Sequence, residues 1–454
     1  VEPQCGTTLT LGASGDTVTL GAGASQSGFG RTGTVDWVTT IQTSTPFTAV
    51  SGKGYFIDTT SSAITMNLPT SPSVGDIVSV KDYARTFDTN NLTVGRGGSN
   101  MDGSATDSTF ATEGLSATLI YMDATKGWSL INDDGTTKIG AAYVAATGGT
   151  ITTVCTNFKV HTFTGPGTFC VSNGGNAGGS NTVDYLVIAG GGSSSQGGGS
   201  YAGAGGGAGG YRFSDGTASG CYSAGPSPLG ASALPVSIQG YPITVGAGGA
   251  RVPGCNEQPG LQGANSIFST ITSTGGGAGR MSYPSIPSGP DTANGGSGGG
   301  GAAPWGSVGS SNTSVTGGAG NTPPVSPSQG NTGGTTPTNN NAAAGGGGAG
   351  AVGGDSPGAG NGGAGGAGLA STITGSPVTR GGGGGGSGHP SPGAAGPGGG
   401  GVGGTIPSTS GGQGTTNTGG GAGGGAAKSA PGSVTSYNAA GGSGIVIIRY
   451  RFQG

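Results

Sequence analysis

Charge is what this sequence has least of. Its 454 residues carry 15 Lys and Arg against 18 Asp and Glu, which leaves a net charge of −3 at pH 7. Between Val252 and Ile448 the charged residues are Glu257, Arg280, Asp291, Asp355, Arg380 and Lys428 and no others. A chain so poor in Lys and Arg offers no basic track for phosphates, so no nucleic-acid partner is expected. No apolar run approaches the length of a membrane span, so no membrane insertion is expected either. There is no signal-peptide pattern. The chain starts at Val1 without a methionine, and an upstream part is expected to have been cleaved or to lie outside this sequence.

Groups that carry chemistry are equally scarce. The histidines are His161 and His389 alone. His161 falls in a strand-like run, and His389, in "SGHPSPG", has no acid within thirty residues, so a Ser-His-Asp arrangement is not expected. A glycan depolymerase needs two carboxylates in a cleft; the acids here concentrate before residue 134 and read as a solvated surface. Five cysteines are an odd number without zinc-site spacing. A hairpin of Phe158–Phe163 with Thr168–Ser172 around "GPG" would set Cys170 opposite Thr162 and leave Cys155 beyond it, which disfavours a bridge between them. Cys221 and Cys255 flank "YPITVGAGG" and can either staple its loops or remain free thiols. The expectation is a non-enzymatic protein without cofactor or metal. Helical periodicity is absent throughout.

Glycine is what the chain has in excess, 113 residues of it. Between Gly174 and Gly444 it reaches roughly one residue in three, the share a collagen triple helix requires. Runs such as Gly381 to Gly386 break the Gly-X-Y period and exclude collagen. A flexible Gly/Ser linker would have the same composition. Strands bracket the region, however: "KVHTFTG", "TFCVS" and "VDYLVIAG" lead in, "YPITVGAGG" lies inside and "GIVIIRYRF" closes it. A linker needs no closing strand.

A folded glycine region has little apolar area to bury, and ordering glycine backbone is costly. Hydrogen bonds must compensate. A left-handed threefold extended helix makes none internally and points its N–H and C=O groups outward. Without side chains such helices approach closely enough to bond one another, at about 0.5–1.5 kcal/mol net per bond, with Cα–H···O contacts in addition. The expected structure is a stack of polyglycine II helices clamped at its base by "VDYLVIAG" and "GIVIIRYRF" in a common β-layer.

The fold class expected is therefore all-β, in four parts. Residues 1–35 include two copies of a Thr/aliphatic alternation in "LTLGASGDTVTLGAGA", too short to bury a face alone, and read as a β-repeat stalk that stacks on further repeats or on copies from sister chains as a homo-oligomer. Residues 36–140 carry six strand-like runs from "GYFIDTT" to "GWSLIND" and read as a small antiparallel β-sandwich with Trp128 in its core. Residues 141–190 are linker and basal strands, and 191–454 the glycine-rich domain with its closing strand at 445–452.

The stretch "GFGRTGTVDWVTT…GKGYFIDTTSSAITMNLP…GDIVSVKDYARTF…NNLTVGRGGSN" resembles a module of tail-fibre proteins from marine bacteriophages, notably cyanophages. "KVHTFTGPGTF", "VDYLVIAGGG", "QGYPITVGAGG", "NSIFSTITSTGGGAG" and "GGSGIVIIRYRF" resemble the glycine-rich domain that ends many such fibres. The resemblance implies a polyglycine II adhesin tip on an extracellular virion fibre, with the 1–35 stalk assembled as a homotrimer, the common symmetry of such fibres. Its partners would be other tail-fibre or virion proteins and a host surface glycan or outer-membrane protein, touched by the segments between glycine helices.

No receptor-contacting residue can be carried over individually. From the residues themselves, aromatics on rigid loops are the best anchors, and Tyr201, Tyr211, Tyr222, Tyr283 and Trp305 are the candidates. Capping of the glycine stack by the same side chains accounts for them equally well. The rivals to an adhesin are a passive fibre or filament subunit, an ice-binding face, disfavoured by irregular insertions, and a depolymerase.

Overall fold

The computed structural model describes residues 35–131, 141–176, 178–196, 202–216, 218, 231–252, 259–281, 292–302, 314–337, 342–405, 409–425 and 438–453. The chain divides into two compact units, Val1–Ile139 and Gly140–Gly454. The stalk expected at 1–35, with its trimer, lies outside the described residues except for Val35.

The first unit is built from β1 (Asp36–Gln42), β2 (Phe47–Thr48), β3 (Lys53–Ile57), β4 (Ile64–Asn67), β5 (Ile77–Asp82), β6 (Leu92–Gly95), β7 (Ser108–Phe110), β8 (Ser116–Asp123) and β9 (Gly127–Leu130). All six strand-like runs are strands. Their pairing corrects the expected antiparallel sandwich. β1, β3 and β5 are parallel neighbours in one sheet, and β2, β4 and β6 in the other, so the chain coils back and forth between two sheets. Only β7, β8 and β9 join antiparallel. The connections cross to the opposite sheet instead of reversing as hairpins, so each sheet gains one strand per coil. The alternation nevertheless points inward as read: Ile64, Met66, Leu68, Leu119 and Trp128 share one core, with the Trp128 ring edge-on to Tyr121 at 5.6 Å.

The second unit begins with β10 (Val144–Thr147), β11 (Thr150–Val154), β12 (Phe158–Phe163), β13 (Gly167–Gly174) and β14 (Thr182–Ile188). It continues with β15 (Tyr211–Phe213), β16 (Leu234–Pro235), β17 (Gly240–Thr244), β18 (Ser266–Phe268) and β19 (Ile271–Ser273). The short pairs β20 (Arg280–Met281) with β21 (Gly301–Ala302), and β22 (Leu369–Ser371) with β23 (Val378–Arg380), precede the last strand, β24 (Ile445–Arg451).

Two sheets face each other, one ordered β10-β13-β17-β18-β19 and the other β11-β12-β24-β14-β15. The expected hairpin of Phe158–Phe163 with Thr168–Ser172 does not form, because β12 and β13 belong to different sheets. Phe163 and Phe169 both point into the core between the sheets, and burying two aromatic rings there outweighs pairing the strands. Cys170 accordingly stands opposite Thr147 and Gly240. Cys155 and Cys170 are free and exposed; Cys221 and Cys255 lie outside the described residues.

β14 and β24 are adjacent and antiparallel, with Ile188 opposite Ile445 and Asp184 opposite Arg449. They are apolar on both faces because both faces are covered. Val183, Tyr185, Val187, Val446, Ile448 and Tyr450 enter the inter-sheet core. Leu186, Ile188, Ile445 and Ile447 enter a second core with Tyr211, Phe213 and Ile373.

The glycine tracts leave from and return to these strands. Segment 189–196 leaves β14, 202–210 enters β15, 381–388 leaves β23 and 438–444 enters β24. Their hydrogen bonds repeat every third residue. The N–H groups of Gly190, Gly191 and Gly192 donate to Ala264, Gly442 and Gly207; those of Ser193, Ser194 and Ser195 donate to Leu261, Ala439 and Ala204. Each partner number drops by three, so one turn takes three residues and the three neighbours run antiparallel. The tract interiors are free of positive φ, which is confined to turn and end residues such as Gly381, Gly398, Gly399, Asn417 and Gly419. A threefold extended helix of that φ is left-handed, the polyglycine II form.

Tract 381–388 is enclosed on all sides. Gly383, Gly384 and Gly385 donate to Gly366, Gly206 and Gly401, while their carbonyls accept from Gly396, Gly346 and Gly424. Buried serines extend the same logic. The hydroxyls of Ser193, Ser194 and Ser195 accept the N–H groups of Leu261, Ala439 and Ala204, returning a bond to each residue that accepts their own N–H.

Candidate functional site

A tract that starts at the sheets must turn back, so tract ends lie remote from them. At about 3.1 Å per residue, segment 189–196 carries its far end roughly 20 Å from β14. That end is tied by isolated bridges between neighbouring tracts: Gln196 with Gly425, Ala302 with Ala343, Val315 with Thr336, and Gly388 with Thr405. Beneath it Ala202, Ala204, Ala302 and Ala343 form a small apolar cluster. Where a Cβ fits between tracts, alanine takes the place of glycine and seals the stack.

Two of the remote turns are described. The His389 N–H donates to the Gly360 carbonyl at 2.7 Å, and the Gly362 N–H to that of Ser391 at 2.9 Å. The turns at 357–361 and 389–391 therefore lie side by side, with His389 and Pro390 exposed. Exposed Asp355 accepts the Thr335 N–H nearby. His389 was legible in the sequence only as a loop residue without an acid; its neighbour across the turn could not be read.

The five aromatic candidates divide. Tyr201, Tyr222, Tyr283 and Trp305 lie outside the described residues. The residues flanking Tyr201 (Gln196 and Ala202), Tyr283 (Met281 and Thr292) and Trp305 (Ala302 and Ser314) belong to tracts of the stack. Tyr222 falls between Ala218 and Ala231, and Ala231 bridges Ser214 just after β15, at the sheet end. Tyr211, expected on a loop, is instead the first residue of β15. It is only 2 % exposed, with its ring edge-on to Phe213. The apolar side of the β14–β24 pair draws that ring inward, which removes Tyr211 as a surface anchor.

Among the remaining titratable groups, His161 serves the scaffold. His161 is fully buried, with Nδ1 2.7 Å from the Gly148 carbonyl and Nε2 3.0 Å from the Tyr450 hydroxyl. Burial holds its pKa below the ordinary 6.5. In the unfolded chain the imidazole titrates near 6.5 and in the folded protein lower, so between those values unfolding takes up a proton. Stability is full above that window and falls as pH drops through it, by up to ~1.4 kcal/mol per pH unit. Urea unfolding should show this slope below pH 6.5, and His161→Asn should flatten it; equal slopes in both proteins would contradict the assignment. Among the described residues no group of three His, Cys, Asp or Glu is placed to hold a metal ion. No helix among them is long and apolar enough to cross a membrane.

What the arrangement can do is present segments from a rigid, hydrogen-bonded stack. No curated protein matches the chain. The profile of a family described as a glycine-rich domain matches residues 164–451, from the turn before β13 to the last residue of β24. That span takes in most of the inter-sheet core, the tracts and the closing strand, and on it the chain belongs to the glycine-rich domain family.

Proposed function

We propose that the chain is the distal, receptor-binding part of a bacteriophage tail fibre, and that its glycine-rich unit attaches the virion to a bacterial surface glycan or outer-membrane protein. The observation that carries this reading is the tying of tract ends remote from the sheets, Gln196 to Gly425 and Gly388 to Thr405, from which connections between tracts spring. A core made of backbone hydrogen bonds fixes the positions of those connections without constraining their sequence, which is the separation that recognition by loops requires. The tail-fibre resemblance of 28–100 and of the strand phrases in the glycine-rich unit supports the same reading. In it the protein is extracellular and forms a homotrimer through 1–35, and Tyr283 and Trp305 are its leading anchors.

Affinity then concentrates in a few side chains. Labelled full-length chain should bind cells of a susceptible strain within a panel of marine cyanobacteria. Trp305→Ala or Tyr283→Ala should weaken that binding about tenfold or more, the effect of losing one anchor of roughly 1–3 kcal/mol, with melting unchanged. Binding to no strain, together with head-to-tail polymers of the pure chain, would favour a passive fibre subunit.

A further inference from the structure

One sheet edge of the glycine-rich unit is left open. β11 opens the sheet β11-β12-β24-β14-β15 and pairs with β12 along its whole length, from Thr150 opposite Thr162 to Val154 opposite Phe158. Its other side receives no backbone hydrogen bond from any described residue. Thr150, Ile151, Thr152 and Thr153 are exposed, Ile151 by 42 %. The far edge of the same sheet is treated differently, since β15 donates its Tyr211 N–H to the Gln329 carbonyl. On the facing sheet, the Val144 N–H at the start of β10 is taken by the Ser180 hydroxyl. An open edge leaves every second N–H and C=O unbonded and is a template for another strand, unless charge, proline or a bulge blunts it. "TITTV" has neither charge nor proline, and its register against β12 is unbroken. Every residue in it is β-branched, the class that favours strands.

We infer that β11 is a docking edge for a second copy of this chain, the two β11 strands pairing antiparallel about a two-fold axis through Thr152. The unbonded backbone groups set the form of the occupant, which must be an extended strand. Symmetry and neutrality point to a copy. About that axis Thr150 faces Val154 of the second copy, Ile151 faces Thr153, and Thr152 faces its own equivalent. β-branched side chains then meet along the whole strand, a favourable set of cross-strand pairs. The charged residue of the next strand is Lys159, opposite Thr153. In the pair the two copies of β12 lie three strand spacings apart, about 14 Å. That exceeds the screening length of ~8 Å at physiological salt, so no like charges resist the pairing. A pair this short buries less than a standard interface, and the association therefore depends on concentration. It adds to any assembly through 1–35 and does not rest on it.

The test is light scattering of the full chain across a concentration series. The mass should rise at least twofold from its dilute value, whether that value is the monomer or the trimer set by 1–35. Ile151→Lys should stay at the dilute value, because the two lysines would stand about 7–8 Å apart on the diagonal of the pair. The side chain it replaces is exposed, so melting should not change. Oxidised Thr152→Cys should run as disulfide-linked pairs of chains, whereas Ile151→Cys, which faces Thr153 and not itself, should not. A mass that stays constant up to the solubility limit overturns the pairing, as does a rise that persists in Ile151→Lys. Linked pairs from Ile151→Cys and none from Thr152→Cys overturn the two-fold through Thr152. None of these outcomes depends on the order of assembly through 1–35, which the dilute mass reads separately.

Discussion

Valine at Gly383 should abolish the cooperative melting of the glycine-rich unit while leaving the first unit folded. A Cβ at Gly383 would fall inside van der Waals contact of the Gly346 and Gly347 carbonyl oxygens. Turning the tract gives no relief, because a Cβ at Gly384 would meet Ala422 and one at Gly385 would meet Gly393. The obstacles are backbone atoms that themselves donate or accept in the stack, so they cannot rotate aside as a side chain would. Overpacking in an ordinary core costs about 1–3 kcal/mol. Here the neighbours have no rotamers to adjust, and separating them also breaks hydrogen bonds worth about 0.5–1.5 kcal/mol each. We expect a loss of at least ~3 kcal/mol, out of a total that for most domains is about 5–15. Gly165→Ala is the control, since a Cβ there meets nothing within 4 Å and should change stability by less than about 0.5 kcal/mol. Thermal unfolding of both variants measures the contrast; a Gly383→Val protein that melts normally would mean the tracts are not packed against one another.

Truncation after Gly444 should be as damaging, although it removes only the end of the chain. β24 lies between β12 and β14 and contributes to both cores of the unit. Ile445, Val446, Ile447 and Ile448 are all buried. At about 1.5–3 kcal/mol for each buried aliphatic side chain, their loss removes roughly 6–12 kcal/mol, as much as the whole stability of a typical domain. β12 and β14 would become open edges. The truncated protein should be recovered with its glycine-rich unit protease-sensitive and its first unit intact. A truncated chain with a protease-resistant glycine region would show that the stack stands without its clamp.

The strands were legible because their side chains carry the pattern. "VDYLVIAG" and "GIVIIRYRF" are apolar on both faces, and both faces are covered. Partnership was less legible. Alternation tells which face of β3 or β5 is buried, not whether the neighbouring strand is reached by a hairpin or by a coil through the opposite sheet. The turn "GPG" fits a hairpin and a corner between sheets equally well; the choice was made by Phe163 and Phe169, which bury together in the sandwich. Glycine hides its own periodicity, since a residue without a side chain cannot mark which way it faces. Threefold order becomes visible in Ser193, Ser194 and Ser195, whose hydroxyls address three different neighbours in turn. In the sequence Tyr211 reads as a loop residue because "GAGGYRF" looks like a loop beside glycine, whereas the tyrosine is the point where a tract becomes a strand. The remaining aromatic candidates rest on chemistry alone, and nothing local in "GCYSA" or "APWGS" separates a presented ring from a packed one.

Amide hydrogen exchange of the native chain tests the central claim most directly. If the tracts form a hydrogen-bonded threefold stack clamped by β14 and β24, the amides of Gly205 to Gly210 and Gly383 to Gly386 should exchange only by unfolding of the whole unit. Their protection should then match that of Leu186 and Ile447 in the clamp. Exchange of those glycine amides at unstructured-chain rates, while Leu186 and Ile447 stay protected, would contradict the account and leave the glycine region a linker between strands.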